Sequence, residues 1–177
     1  MFPKPKSALT PNTYAYESEP LVKPTGFREY DARWLLAKEI NLMGIQALGM
    51  GLGTMIREMG VKPEIVTGHD FRGYSASVKT SLISGLLAAG CKVHDIGLAM
   101  TPMAYFAQFE LDVPCVAMVT ASHNDNGWTG VKMGANRPLT FASCTVSSER
   151  SASSSRKLSR KDISGFRPDV LAQRVHA

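Results

Sequence analysis

The sequence predicts an α/β layer fold with a mixed, mostly parallel sheet. Strand-length runs of β-branched and apolar residues alternate with segments of helical period. The strand-like runs end in turns rich in Gly, Asp, Asn and Ser. The chain has 177 residues, 44% of them hydrophobic, which suits one globular domain with a tail. In such sheets ligands collect at the carboxyl ends of strands.

Taken in order, residues 1–24 form a polar arm with several prolines. It carries Lys4 and Lys6 but no apolar stretch of signal-peptide type. Residues 25–34, T-G-F-R-E-Y-D-A-R-W, alternate loosely and read as a short opening strand bearing Arg28 and Arg33. Residues 41–59 place Leu42, Ile45, Leu48, Leu52, Met55, Ile56 and Met59 at helical spacing. The glycines within that segment resemble a dinucleotide loop only superficially. No strand precedes them and the helical period runs through them, so close helix packing is the better reading.

Lys62 and Pro63 end that helix, and residues 64–67 read as a strand. A polar loop, residues 68–75, follows, with Asp70 and Arg72 placed to form an ion pair that orders it. Ser75 or Ser77 is positioned to cap a helix over residues 76–89, and Gly90 supplies its C′ position. Residues 92–96 read as a strand. Thr101 is positioned to cap a helix beginning at Pro102, with residues 103–109 its body. The turn Asp112-Val113-Pro114 delivers the chain to the run at residues 116–119.

That run leads into the most chemical stretch of the chain, residues 119–133, V-T-A-S-H-N-D-N-G-W-T-G-V-K-M. An apolar strand that stops at Ser122-His123 and an Asn/Asp/Gly turn presents a hydroxyl on a loop. Thr120 to Asn124 also reads as an ordinary polar turn, with Ser122 bonded to nearby backbone. Adjacent side chains on extended backbone point apart, so His123 need not serve as the base for Ser122.

Composition excludes several classes. No apolar run approaches the ~20 residues of a membrane span. Cys91, Cys115 and Cys144 are too few and too scattered for a disulfide framework, and no two have metal-ligand spacing. Cys91 and Cys115 sit in apolar contexts as small hydrophobes, and a cytoplasmic setting follows. The formal charge of +5 is concentrated late: residues 142–177 hold seven Lys/Arg against three Asp/Glu, leaving +1 for the rest. Nucleic acid is therefore not an expected partner of the folded part. With nine serines, residues 142–177 form a low-complexity Ser/Arg tail that would struggle to repay the entropy of ordering.

The serine stretch closely resembles the active-site loop of the alpha-D-phosphohexomutases, the phosphomannomutase and phosphoglucomutase family. Thr120, Ala121, Ser122, His123, Asn124, Gly127, Gly130 and Lys132 match that family's pattern. Asp125 stands where the family has proline, which frees one backbone φ and places a negative charge beside a phosphate site. Phe27, Arg28, Tyr30, Asp31 and Arg33 match its N-terminal signature, with Trp34 in place of a glycine. Gly68, Asp70, Arg72 and Ser75 resemble its second loop, and Gly97, Thr101 and Pro102 a third step.

The resemblance covers residues 25–141 and implies the first of four domains, a three-layer α/β/α sandwich with a mixed, mostly parallel sheet. It also implies a truncated or frame-shifted product whose tail, residues 142–177, is not a designed part. The implied activity is transfer of phosphate between C6 and C1 of a hexose phosphate, through a phosphoserine at Ser122 and a bisphosphate intermediate. Arg33 would brace phosphoryl oxygens, Lys132 would move a proton or stabilise charge, and His123 would hydrogen-bond nearby. Tyr30 and Asn124 would line the cleft. Mg²⁺ would sit on the Ser122 phosphate, with its other ligands outside this chain, and a hexose 1,6-bisphosphate would act as activator. The fragment alone is expected to be inactive. The alternative is a non-catalytic α/β module whose basic Ser/Arg tail binds RNA or a protein partner.

Overall fold

A computed structural model describes residues 20–28 and 31–137. Tyr30, the arm before Pro20, Cys144 and the tail at 142–177 lie outside the described residues, as does the expected domain limit near residue 141. A 3-10 turn, Pro24–Gly26, precedes five strands and three helices. They are β1 (Ala32–Leu35), α1 (Leu42–Glu58), β2 (Glu64–His69), α2 (Ser75–Ala88), β3 (Lys92–Leu98), α3 (Thr101–Glu110), β4 (Cys115–Val119) and β5 (Trp128–Gly134). No helix among the described residues is long and apolar enough to cross a membrane.

The strands form one sheet in the order β1-β5-β4-β2-β3. β2 pairs in parallel with β3 and β4, whereas β5 pairs antiparallel with both β4 and β1. Four strands therefore run one way and β5 runs against them. The mostly parallel expectation holds for strand direction, while the pairings divide equally between the two kinds.

Alternation along the strands separates two apolar layers. Ile65, Cys115, Ala117, Val119, Val131 and Met133 face α1 and α2, whose Leu48, Leu52, Leu82 and Leu86 are buried against them. Val66, Val116 and Met118 face the opposite way, toward Ala104 of α3. β4 is buried along its whole length, as expected of a central strand covered on both faces. The three-layer arrangement is thus present, with two helices on one side and one on the other.

Helices α1 and α2 pack at the distance their glycines permit. A β-carbon at Gly49 would lie 2.2 Å from Leu82 O, and one at Gly85 would lie 1.9 Å from Gln46 O. The glycine run thus serves helix contact, as its period implied.

Local details depart from the sequence reading. The opening strand is shorter and later, because Pro24–Gly26 takes a 3-10 turn and β1 begins at Ala32. Trp34 is fully buried, donates from Nε1 to Lys23 O at 2.8 Å, and meets Phe27 edge-on. Asn41 is the N-cap of α1, its Oδ1 accepting from Gly44 N. Neither Ser75 nor Ser77 caps α2: the N-cap is Tyr74, and the Ser75 hydroxyl is engaged by Asp70 instead. Thr101 likewise lies inside α3, whose N-cap is Met100 with no side-chain cap bond. Gly90 follows α2 with φ +82°, the left-handed conformation expected of C′.

Candidate active site

The connections β2–α2–β3 and β3–α3–β4 leave the sheet on opposite faces. The carboxyl ends of the parallel neighbours β2 and β4 lie side by side, at the end of the sheet where ligands usually collect. Residues 70–74 leave β2 there and residues 120–127 leave β4. The Asp70 amide donates to Val119 O at 3.0 Å, tying the two exits together.

Ser122 stands in the second of these loops with φ 56°, a left-handed conformation uncommon for a residue with a β-carbon. Its amide donates to Thr120 Oγ1 at 2.9 Å, a tight local turn. Its hydroxyl lies 3.5 Å from His123 Nδ1, at the outer limit of a hydrogen bond. Both side chains are exposed. The pair is therefore not a formed nucleophile–base couple, in keeping with the reading from adjacency.

The loop is held by Arg72, from the loop that leaves β2. Its guanidinium donates to Ser122 O at 3.1 Å, Asn124 O at 2.6 Å and Asp125 O at 3.2 Å. Its Nε faces Asp70 Oδ2 at 3.2 Å, so the expected ion pair is present. Asp70 in turn accepts from the Ser75 hydroxyl at 2.6 Å. Burial works to raise the Asp70 pKa, but hydrogen bonds from Ser75, Thr120 and the Arg72 amide, with the Arg72 charge, hold it below the usual value. Tyr74 fixes the far end of the loop: its hydroxyl donates to Trp128 O and accepts from Gly127 N.

A second charged group adjoins the loop. Arg33 donates from Nη1 to Asn124 Oδ1 at 2.6 Å and from Nε to Asp31 Oδ2 at 2.8 Å. Lys132 Nζ lies 3.6 Å from the same Asp31 oxygen, and the Asp31 side chain is only 6% exposed. A buried carboxylate thus gathers Arg33 and Lys132, and Asn124 links that group to the serine loop. The approach of strands here needs Gly130, which sits opposite Arg33 in β1. A β-carbon there would lie 2.4 Å from Ala32 O and 2.9 Å from Thr120 O.

An open cleft of about 510 Å³ is lined by Ser122, His123, Asn124 and Asn126 on one side and Phe71, Arg72 and Gly73 on the other. Arg33 and Lys132 do not line it and adjoin it through Asn124. Of the residues singled out from sequence, Ser122, His123, Asn124, Arg33 and Lys132 therefore fall into one connected region. Asp31, and the reach of Arg72 and Tyr74 into the serine loop, were not anticipated. Asp31 lay inside a quoted motif; the reach of Arg72 spans some 50 positions and leaves no local signal.

Among the described residues, no group of three or more His, Cys, Asp or Glu could hold a metal ion. The donor set thus does not fit a complete Mg²⁺ site. The polar side chains that line the cleft are hydroxyl, imidazole, amide and guanidinium groups, with the Asp125 carboxylate exposed nearby.

Comparison with known proteins agrees with this architecture. Residues 24–146 match the model for the phosphoglucomutase/phosphomannomutase alpha/beta/alpha domain I. The chain belongs to that family. A phosphoglucomutase/phosphomannomutase of Thermococcus kodakarensis is 35% identical over 108 residues, covering 60% of this chain and 24% of the relative. An Escherichia coli phosphomannomutase is 41% identical over 110 residues, covering 62% of this chain and 23% of the relative. A phosphomannomutase of Klebsiella pneumoniae is 40% identical over 110 residues, 62% of this chain and 67% of the relative. Among solved structures, a phosphoglucomutase/phosphomannomutase family protein of Burkholderia thailandensis aligns with a TM-score of 0.60 and 28% identity, over 65% of this chain and 27% of its own. This chain thus spans about a quarter of the length of the first two relatives.

Proposed function

We propose that this chain carries the phosphate-bearing serine of a phosphohexomutase, a cytoplasmic enzyme that moves phosphate between C6 and C1 of a hexose phosphate. The observation that carries the reading is Ser122. Its hydroxyl is exposed on a loop in left-handed conformation at the carboxyl end of β4, and Arg72 fixes three main-chain oxygens of that loop.

In this reading Ser122 bears a phosphoryl group. A sugar hydroxyl attacks the phosphorus, the bond from phosphorus to Ser122 Oγ breaks, and a new P–O bond to the sugar forms. The sugar's proton leaves to a base, and the Ser122 oxygen is reprotonated. The resulting bisphosphate returns its other phosphoryl group to Ser122 by the reverse exchange. A hexose 1,6-bisphosphate activates the enzyme by the same second step. Arg33 is suited to brace phosphoryl oxygens bidentately, and its Asn124 contact keeps it beside the loop. Lys132, held by Asp31, supplies charge stabilisation or moves the proton. His123 stays close enough to Ser122 to bond once a phosphoryl oxygen extends the reach.

Positioning and charge neutralisation supply most of the rate in phosphoryl transfer. The acidic cluster for Mg²⁺ and the rest of the substrate site are assigned to polypeptide beyond the described residues. This chain by itself is then expected to show no hexose phosphomutase turnover. A coupled assay of glucose 6-phosphate formed from glucose 1-phosphate, with Mg²⁺ and bisphosphate, tests this. A Ser122-dependent rate near the ~10 s⁻¹ of ordinary enzymes would overturn it.

The residue assignment is tested by building residues 24–146 into a full-length relative and incubating it with labelled glucose 1,6-bisphosphate. Label is expected on Ser122, and Ser122→Ala is expected to abolish both label and turnover. Label on Thr120, Thr129 or His123 would contradict the assignment.

A further inference from the structure

Helix α3 carries apolar side chains on the side away from the sheet. Ala104 and Gln108 are buried against the sheet, yet the opposite side presents Met103, Phe106 and Phe109 to solvent, with Phe106 66% exposed. Leu98 and Met100 before it and Leu111 after it are also exposed. Taking about 200 Å² for a fully exposed side chain of this size, the six leave on the order of 700 Å² in water. That is close to the ~800 Å² each partner contributes to a standard interface.

We propose that this face is a self-association surface, closed by a second copy of this chain with the two α3 helices antiparallel. Two features of α3 point to a copy of itself. Met103 and Phe109 lie three residues to either side of Phe106, so the stripe maps onto itself when reversed about Phe106. The helix also begins without a capping side chain and with no acidic residue in its first turn, while an exposed Glu110 closes it. Antiparallel pairing about Phe106 sets Glu110 of each copy beside the first turn of the other, where the helix dipole favours a carboxylate. The interface is then an apolar centre flanked by two symmetric charge contacts. It lies outside the cleft and is independent of the proposed chemistry.

Sedimentation velocity of the full 177-residue chain, from sub-micromolar to tens of micromolar, tests this. The expected result is a reversible rise in mass from 19.2 kDa toward twice that value. Phe106→Glu is expected to weaken association at least about a hundredfold, as for a central interface aromatic. Its helical circular dichroism should stay unchanged, because the side chain is exposed. Met103→Glu serves as a second variant if Phe106→Glu folds poorly. Glu110→Gln is expected to weaken association about threefold at low salt, with the difference shrinking as salt rises. A chain that stays monomeric throughout, including one whose own residues 138–177 protect Phe106, overturns the proposal. So does a dimer indifferent to both Phe106→Glu and Met103→Glu.

Discussion

The two faces of the sheet solve different problems. On one, α1 and α2 press together through Gly49 and Gly85 and seal an apolar layer that includes Ile65, Cys115 and Val131. Burial there pushes the Cys115 thiol up to about 11, so it stays protonated and inert. On the other, α3 covers Val66, Val116 and Met118. The neighbouring edge of that face carries Arg33 and Lys132, gathered by Asp31. Burial raises the Tyr105 hydroxyl on α3, and the Asp31 charge adds to the effect. Alternation along β4 and β5 keeps these environments apart, so the larger apolar core lies on one face and the Arg33–Asp31–Lys132 group on the other.

The comparison breaks first at buried leucines. Leu82→Ala, within the two-helix layer, is expected to cost about 2–5 kcal/mol by cavity formation. Met103→Ala, on the outer side of α3, should stay within about 0.5 kcal/mol at concentrations where the chain is monomeric. Urea unfolding of both variants measures the contrast, and equal losses would erase the distinction.

Gly85→Ala comes next. Its new methyl would meet backbone of α1 rather than a movable side chain, so an overpacking loss of about 1–3 kcal/mol is expected. The same substitution at Gly73, where nothing lies within 4 Å of an added β-carbon, should be close to neutral. Thermal denaturation of the pair sharpens the claim that close approach, and not helix propensity, fixes Gly85.

Arg72→Ala acts at the cleft. It strips three carbonyls of their donor and leaves Asp70 without its ion pair, for an expected loss of about 1–2 kcal/mol. The larger response should be local, with amide exchange at residues 122–127 accelerating far more than in β2 or β4. Uniform acceleration across the sheet would show that Arg72 is a general structural residue.

The smallest expected effect is one of pH. The Asp70 carboxyl is held below its ordinary 3.8 in the folded chain, so the unfolded chain binds its proton first as pH falls. The stabilisation is complete above 3.8 and is lost as pH drops below it and through the lower folded value. Asp70→Asn should lessen the slope of stability across that acidic window and leave the behaviour near pH 7 as it was. An unchanged acid slope in that variant would remove Asp70 from the account.

Much of this arrangement was legible because its causes are local. The period of residues 41–59 gave α1, and the apolar run into Ser122-His123 gave β4 and its loop. The caps were misread because Ser75 has a competing partner: Asp70 takes its hydroxyl at 2.6 Å. The antiparallel pairing of β5 with β1 joins residues about a hundred positions apart, where no periodicity can register it. Asp31 was visible as a letter in a motif, but its role as a common partner of Arg33 and Lys132 exists only once β1 lies beside β5.

The Arg72 clamp has a consequence for change over time. All three of its contacts in the serine loop are to main-chain oxygens, which every residue type supplies. The path of the loop is thereby insulated from the identity of the side chains it displays. A position such as Asp125 can exchange an imino acid for a carboxylate and keep the same carbonyl in the same grip. New chemistry can be tried beside Ser122 without redrawing the curve that presents it, because the instruction for that curve is stored in a different loop.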